Sequence, residues 1–324
     1  MVFRKIKALF NPERYHGWGK EKKYFEGWYY KVISADEKHA FAFIPGIAMD
    51  KAGNKQAFIQ ILDGNKRTAE YIKIPAENFT SRSDMFKTEI GDNIFEKDFI
   101  KLNLPVAKGA LHFKNQVPWP KQWYSPGIMG PYSFVPFMEC YHGILSMDHE
   151  IQGWLEINQK KIDFSGGRGY MEKDWGHSFP SAYFWMQSNH FSEKGISLKA
   201  SVAKIPWLGS SFVGFIAGLY FDGRLIQFTT YNGTRLVRSY ADEKTVELTM
   251  ENKKYRLEIV AHRNDATELA SPIAGFMDGR ISESMTSSIT AKLVRKKDSQ
   301  TLFSDTGNHA GLEVAGLIEE IMVG

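Results

Sequence analysis

The chain has one cysteine, Cys140, in 324 residues, which excludes an intrachain disulfide framework and suits a reducing compartment, so a cytoplasmic location is expected. It lacks any run near the roughly 20 apolar residues that a membrane-spanning helix requires. At its start, MVFRKIKALF, Lys5 and Lys7 break what would have to be the apolar stretch of a secretory signal. Membrane contact is therefore expected to be peripheral at most. An excess of charge of one sign is also missing: 41 Lys and Arg stand against 37 Asp and Glu, a net charge of +4. The basic runs at 20–23 and 295–297 are tempered by Glu21 and Asp298, so nucleic acid is not an expected partner. There is no GxxxxGK followed by Ser or Thr, no dinucleotide fingerprint and no HExxH, so neither a cofactor nor a metal is expected.

What the chain has in excess is aromatic residues, at 14%, with 8 Trp, 14 Tyr and 23 Phe. Such residues favour strands. Short runs alternating polar with apolar residues recur from end to end, broken by turn residues, while helix-period runs are scarce. In AFIQILDGNKRTAEYIKI the pair Asp63-Gly64 separates two alternating runs, and in GLYFDGRLIQFTTY Asp222-Gly223 does the same. Both predict hairpins, because Asp-Gly supplies the positive φ that tight turns demand. A short helix is expected only near the end, in HAGLEVAGLIEEIMVG. The pattern predicts an all-β chain of two antiparallel β-barrel or sandwich domains in tandem, residues 1–160 and 161–324.

One segment resists this pattern. Between residues 115 and 137, Pro118, Pro120, Pro126, Pro131 and Pro136 stand among Trp, Tyr and Phe, a density that no central strand tolerates. It reads as a long loop. It is either a lid over a ligand, a surface that touches a membrane, or a cover sealing one barrel end.

Several chemistry-bearing groupings stand out in the residues alone. Cys140 and His142 are two apart and share a strand face, which suits a thiolate with its base, although a lone Cys is also ordinary core packing. His142, His149 and Asp148 are candidate metal ligands, with no diagnostic spacing. Glu139 lies in the apolar PFMECYH and needs a partner if ionised, for which Arg168 and His142 are candidates. Two aromatic clusters, YFEGWYYKV at 24–32 and MEKDWGHSFPSAYFWMQSNHF at 171–191, hold most of the remaining candidates.

These two clusters resemble segments of the tocopherol cyclase family, whose plant and cyanobacterial members carry a similar FEGWYF near the start and EKNWGGSFP followed by FWVQCN in the middle. The segment AHRNDATELASPIAGFMDGRISESMTSSITAKL is similar to a later stretch of the same family, so the resemblance spans nearly the whole chain. It implies two lipocalin-like barrels holding a hydrophobic ligand, and ring closure of a prenylated hydroquinone to a chromanol. The carotenoid hydratases are similar in architecture and chemistry. Both reactions begin with protonation of an isoprenoid double bond by an acid kept neutral in a dry site, followed by management of a tertiary carbocation.

On that reading Asp174 is the proton donor, His177 its partner or base, and Glu172 a further acid or base. Trp28, Trp175 and Trp185 are expected as cavity walls, and Tyr29 and Glu139 as further ligand contacts. Alternation along 184–191 sets Trp185, Gln187 and Asn189 on one face, where the two amides can orient a phenol or quinone oxygen. Asp174-Trp175-Gly176 also suits a barrel corner, and Glu26, Trp28 and Tyr29 also suit a plug. Where the plant enzymes have Asn and Gly, this chain has Asp174 and His177, so its proton inventory, and with it substrate or reaction, is expected to differ. Two other functions fit the same sequence: a noncatalytic carrier of a hydrophobic ligand, and a protein-binding platform built on the aromatic loop.

Overall fold

The computed structural model describes residues 8–324, so Lys5 and Lys7 lie outside the described residues. Nearly all of its regular structure is strand, as the alternation predicts, with three 3₁₀ turns at Ala76–Asn78, Gly130–Phe134 and Ile318–Ile321. The last of these stands where a terminal helix was expected. Two compact units form: one runs to Phe179 and takes in Ala270–Arg280, the other consists of Pro180–Leu269 and Ile281–Gly324. The division falls beyond the expected boundary at 160/161 for a physical reason. The strand Arg168–Gly176 pairs along its length with Tyr24–Ile33 on one side and with Cys140–Ile157 on the other, and so belongs to the first unit.

The first sheet runs Thr68–Pro75, Lys55–Asp63, Ala40–Met49, Tyr24–Ile33, Arg168–Gly176, Cys140–Ile157, Ala107–Lys114, Phe99–Asn103, Asn93–Glu96, Lys87–Ile90 and Phe79–Ser81. The strands at its two ends are consecutive in the chain. Pro75 and Phe79 are four steps apart, at most about 14 Å, so the sheet must roll until its edges approach. Its hydrogen-bonded order nonetheless stays open, where a closed barrel was expected. The second sheet repeats the device, from Arg224–Thr229 through Ala182–Ser188 and Gln300–Gly316 to Arg235–Ala241, again open.

Both predicted hairpins form. Asp222 (φ 50°) and Gly223 (φ 67°) make the tight turn that their dipeptide calls for. At Asp63 the turn is longer than the dipeptide suggests. The positive φ falls on Arg67, and the Asp63 carboxylate caps the turn by accepting from the Asn65 and Lys66 N–H groups.

Alternation fixes which side chains enter each core. Trp28, Tyr30 and Val32 of Tyr24–Ile33 and Met171 of Arg168–Gly176 face the first core, with Phe43, Ile59 and Leu145. Phe184 and Met186 enter the second, with Val202, Leu219 and Leu312. The opposite faces of these central strands are also dry: Tyr29, Lys31, Tyr170 and Glu172 are buried in the first unit, and Trp185, Gln187 and Asn189 in the second. Two-sided burial is unusual for an antiparallel sheet, which commonly keeps one face in water.

The end of Arg168–Gly176 is closely packed. A methyl group on Gly176 would stand 2.2 Å from the Glu139 carbonyl oxygen and 3.0 Å from the Cys140 Cα, both backbone atoms that cannot rotate away. Gly176→Ala is expected to destabilise the first unit by about 1–3 kcal/mol, which a denaturant titration would read. A variant as stable as the parent would show that this corner yields.

Candidate active site

Three neighbouring strands, Tyr24–Ile33, Arg168–Gly176 and Cys140–Ile157, place two polar clusters on opposite faces of one sheet. Register decides the membership of each. Tyr170, Glu172 and Asp174 point one way, and Met171, Lys173 and Trp175 point the other. Asp174 stands opposite His142 and Gly27, and Glu172 opposite Ile144 and Tyr29.

On the face away from the core, His142 stands between two carboxylates. Its Nδ1 is 2.7 Å from Asp174 Oδ1, and its Nε2 is 3.6 Å from Glu172 Oε2. The Tyr170 hydroxyl donates to the same Glu172 oxygen. The result is two hydrogen-bonded pairs side by side, Asp174–His142 and Glu172–Tyr170, with the buried His142 Nε2 left without a hydrogen-bond partner between them. The two carboxylates differ in access: the Asp174 side chain is 24% exposed and that of Glu172 only 6%. Burial, and then the Glu172 charge, push the Tyr170 phenol well above its ordinary pKa, so it stays a donor.

Cys140 Sγ approaches Asp174 Oδ1 at 3.9 Å. Burial and the Asp174 charge raise its pKa well above the ordinary thiol value, which removes the thiolate reading of the Cys140–His142 pair. His142, Glu172 and Asp174 are close enough for their ligand atoms to approach one ion. However, the two carboxylates lie nearest different ring nitrogens, and one ion takes only one nitrogen of an imidazole, so the grouping reads as an Asp174–His142 pair with Glu172 beside it. The other metal grouping weighed from the sequence is not assembled. Asp148 is taken by Arg168, and His149 is buried against Phe113 and Ser146, its pKa pushed down to about 3 by burial.

On the core face, Lys173 and Glu26 form a wholly buried ion pair at 2.5 Å. Each partner is fully hydrogen-bonded. The Lys173 ammonium also donates to the Arg14 carbonyl and to His16 Nδ1. The Glu26 carboxylate accepts from the backbone N–H groups of His16 and Gly17 and from the Tyr24 hydroxyl at 2.5 Å. Burial works against the charge on Glu26, but Lys173 and the His16 bonds overcome it and hold the carboxyl below its ordinary pKa. Burial pulls Lys173 down to about 8, with Glu26 opposing. Burial and the Lys173 charge also lower His16, which fits a neutral ring that accepts at Nδ1 and donates from Nε2 to the Ala8 carbonyl.

This places the residues singled out from the sequence. Asp174 and Glu172 come together on either side of His142; His177 lies past the end of the strand and is exposed, its backbone N–H donating to the Glu139 carbonyl and its own carbonyl accepting from the Gly275 N–H. Trp28 and Trp175 face the core, opposite Asp174. Their rings flank the Lys173 ammonium at 4.8 Å each, and Trp175 is stacked between His16 and Tyr141. Tyr29 is on the Asp174 face. Glu139 gains neither expected partner, since Arg168 binds Asp148 and His142 binds Asp174, and burial raises its pKa. Trp185, Gln187 and Asn189 share the face of their strand away from the second core, as alternation requires, with Asn189 Oδ1 3.0 Å from His190 Nδ1. The residues that sequence reasoning missed are His142 as the partner of Asp174, Tyr170, and the Glu26–Lys173–His16 group. The alternation Tyr170-x-Glu172-x-Asp174 was a usable signal for one of them.

Comparison with known proteins agrees with this architecture. The family described as tocopherol cyclase-like matches residues 102–316. A probable chloroplastic tocopherol cyclase of Oryza sativa subsp. japonica is 22% identical, covering 96% of this chain and 79% of its own. A chloroplastic tocopherol cyclase of Zea mays is also 22% identical, over 93% of this chain and 77% of its own. Among solved structures, CghA with Sch210972 superposes with a TM-score of 0.57 at 11% identity, covering 90% of this chain and 88% of that one. A putative AttH from Nitrosomonas europaea gives 0.51 at 12% identity, over 91% and 93%. These likenesses show the all-β, two-sheet fold.

Proposed function

The chain belongs to the tocopherol cyclase-like family, and we propose that it is a cofactor-independent cyclase or hydratase acting on a prenylated aromatic or isoprenoid compound. A cytoplasmic location is part of the same reading. The observation that carries it is the Asp174–His142 pair, 2.7 Å apart, with the buried Glu172 3.6 Å from the other ring nitrogen.

The chemistry follows from the order of the groups. Asp174, the more accessible acid, gives its proton to one carbon of an isoprenoid double bond, leaving a tertiary carbocation at the other. The phenol oxygen of the substrate then attacks that cation, the new C–O bond closes the ring, and the phenolic proton returns to the Asp174 carboxylate through His142. The sum is an isomerisation in which no electron or proton is lost. If water takes the place of the phenol, the same steps give hydration. His142 resupplies Asp174, and the Glu172 carboxylate, held by Tyr170, lies 3.6 Å from the far side of the imidazole, where it favours the charged ring. The electron-rich rings of Tyr29 and Tyr170 lie on the acid's face and are the candidates to shelter the cation.

Incubating the purified protein with a phytyl-substituted hydroquinone should yield the corresponding chromanol by chromatography, with none from heat-inactivated protein. Binding without product would favour the carrier, and absence of both would reject the ligand class.

A further inference from the structure

Large apolar side chains are exposed unevenly. Ten are exposed among the described residues, and five of these, Phe10, Trp123, Tyr124, Phe134 and Phe137, belong to the Pro-rich loop or to the segment packed on it. Trp123, 81% exposed, and Tyr124 form the tip of a two-residue turn that Gln122 and Ser125 close with two backbone bonds. The two rings meet edge to face at 5.3 Å. Phe134 sits on the 3₁₀ turn Gly130–Phe134 and meets Phe10 at 6.1 Å.

The loop beneath is braced. Lys121 pairs with Glu13 at 2.9 Å, the Tyr141 hydroxyl donates to the Val135 carbonyl, and Trp119 is buried. These aromatics are thus held out in water by a fixed scaffold, at a cost that a soluble surface avoids unless a partner covers it.

Charge beside the patch indicates which partner. Lys20, Lys22 and Lys23 are exposed, and the Lys23 backbone packs against Gly275, whose N–H donates to the His177 carbonyl. His177 is itself bonded to Glu139, two residues past Phe137. Trp and Tyr with flanking Lys make the composition of a membrane–water interface, where ring bodies enter the acyl boundary and ammonium groups meet headgroups.

We propose that Trp123, Tyr124, Phe134, Phe137 and Phe10, flanked by Lys20, Lys22 and Lys23, form a surface that docks on an anionic lipid bilayer. Docking stands on the exposed aromatics and lysines alone. Only the further step, that a prenylated substrate is taken from that bilayer, rests on the function proposed above.

The test is cosedimentation of the full chain with phosphatidylcholine vesicles, with and without one quarter phosphatidylglycerol. The chain should bind and prefer the anionic vesicles. Trp123→Ala with Phe137→Ala should weaken binding by about tenfold or more at unchanged Tm. Lys20→Gln, Lys22→Gln and Lys23→Gln together should remove the anionic preference, worth up to about 100-fold. No binding to either vesicle, or binding unaltered by the aromatic pair, would overturn the proposal. So would a dimer in sedimentation that the aromatic pair abolishes while vesicles stay unbound. Because binding is read without turnover, a failed chromanol assay leaves this result standing, and the reverse also holds.

Discussion

Asp174→Asn is expected to lower turnover of a prenylated quinol by about 10²–10⁴-fold, the usual worth of a general acid, while leaving the fold and ligand affinity in place. The amide keeps an oxygen at the Oδ1 position, 2.7 Å from His142 Nδ1, so the hydrogen bond that ties the two strands survives and only the acidic proton is lost. The effect should therefore appear in kcat and not in the dissociation constant of the quinol. A purely structural Asp174 would give the opposite split, with melting temperature falling and kcat per folded molecule unchanged. Glu172→Gln tests the order of the relay. Its side chain is the less exposed of the two and lies across the imidazole from Asp174, so it should cost less than Asp174→Asn. If instead Glu172→Gln abolishes turnover and Asp174→Asn leaves it within a few-fold of the parent, the proton enters from Glu172 and the assignment reverses.

That this pair could be half-read from the sequence has a physical explanation. Alternation is local, so MEKDWG already places Glu172 and Asp174 on one face and Lys173 and Trp175 on the other. Applied strictly, it separates Trp175 from Asp174, and the structure does separate them: Trp175 packs beside Lys173 and Asp174 bonds His142. What alternation cannot supply is the neighbouring strand. Asp174 meets His142 because Cys140–Ile157 lies beside Arg168–Gly176 in a particular register, and a one-residue slip would turn His142 to the core. Nearness in sequence suggested His177 in its place, but the strand ends at Gly176 and His177 leaves the sheet. The same limit hid the Glu26 ion pair, whose members stand on strands separated by more than a hundred residues of chain. The hairpins and the Pro-rich loop were legible because Asp-Gly and proline act on their own backbone. The extent of the first unit was not, because it depends on where Arg168–Gly176 finds its partners.

The Glu26–Lys173 pair is the reason to expect the largest loss of stability from a single change. Two charges taken wholly out of water are tolerable only while each answers the other and every remaining donor and acceptor is met; here the ammonium has three acceptors and the carboxylate receives N–H and O–H donors on both oxygens. Glu26→Gln keeps the shape and leaves Lys173 without its counter-charge between two tryptophans, so it should cost about 3–5 kcal/mol. That is a large part of the roughly 5–15 kcal/mol that holds a domain and corresponds to a Tm fall of about 10 °C. Lys173→Met should cost a similar amount. The double variant should fall short of the sum by about 1–3 kcal/mol, because the second change removes the buried amine whose partner the first one took away. The pH dependence has a definite sign. A carboxyl held below its ordinary 4.5 in the folded chain contributes stability that is complete above that value and is lost as pH falls through it toward the folded value. The parent should lose stability along that acid limb, and Glu26→Gln should flatten it. Additive single effects, or an acid limb unchanged in Glu26→Gln, would mean that the pair is not what secures residues 14–17 to the sheet; coupling with a flattened limb would make it the lock on the core face opposite Asp174.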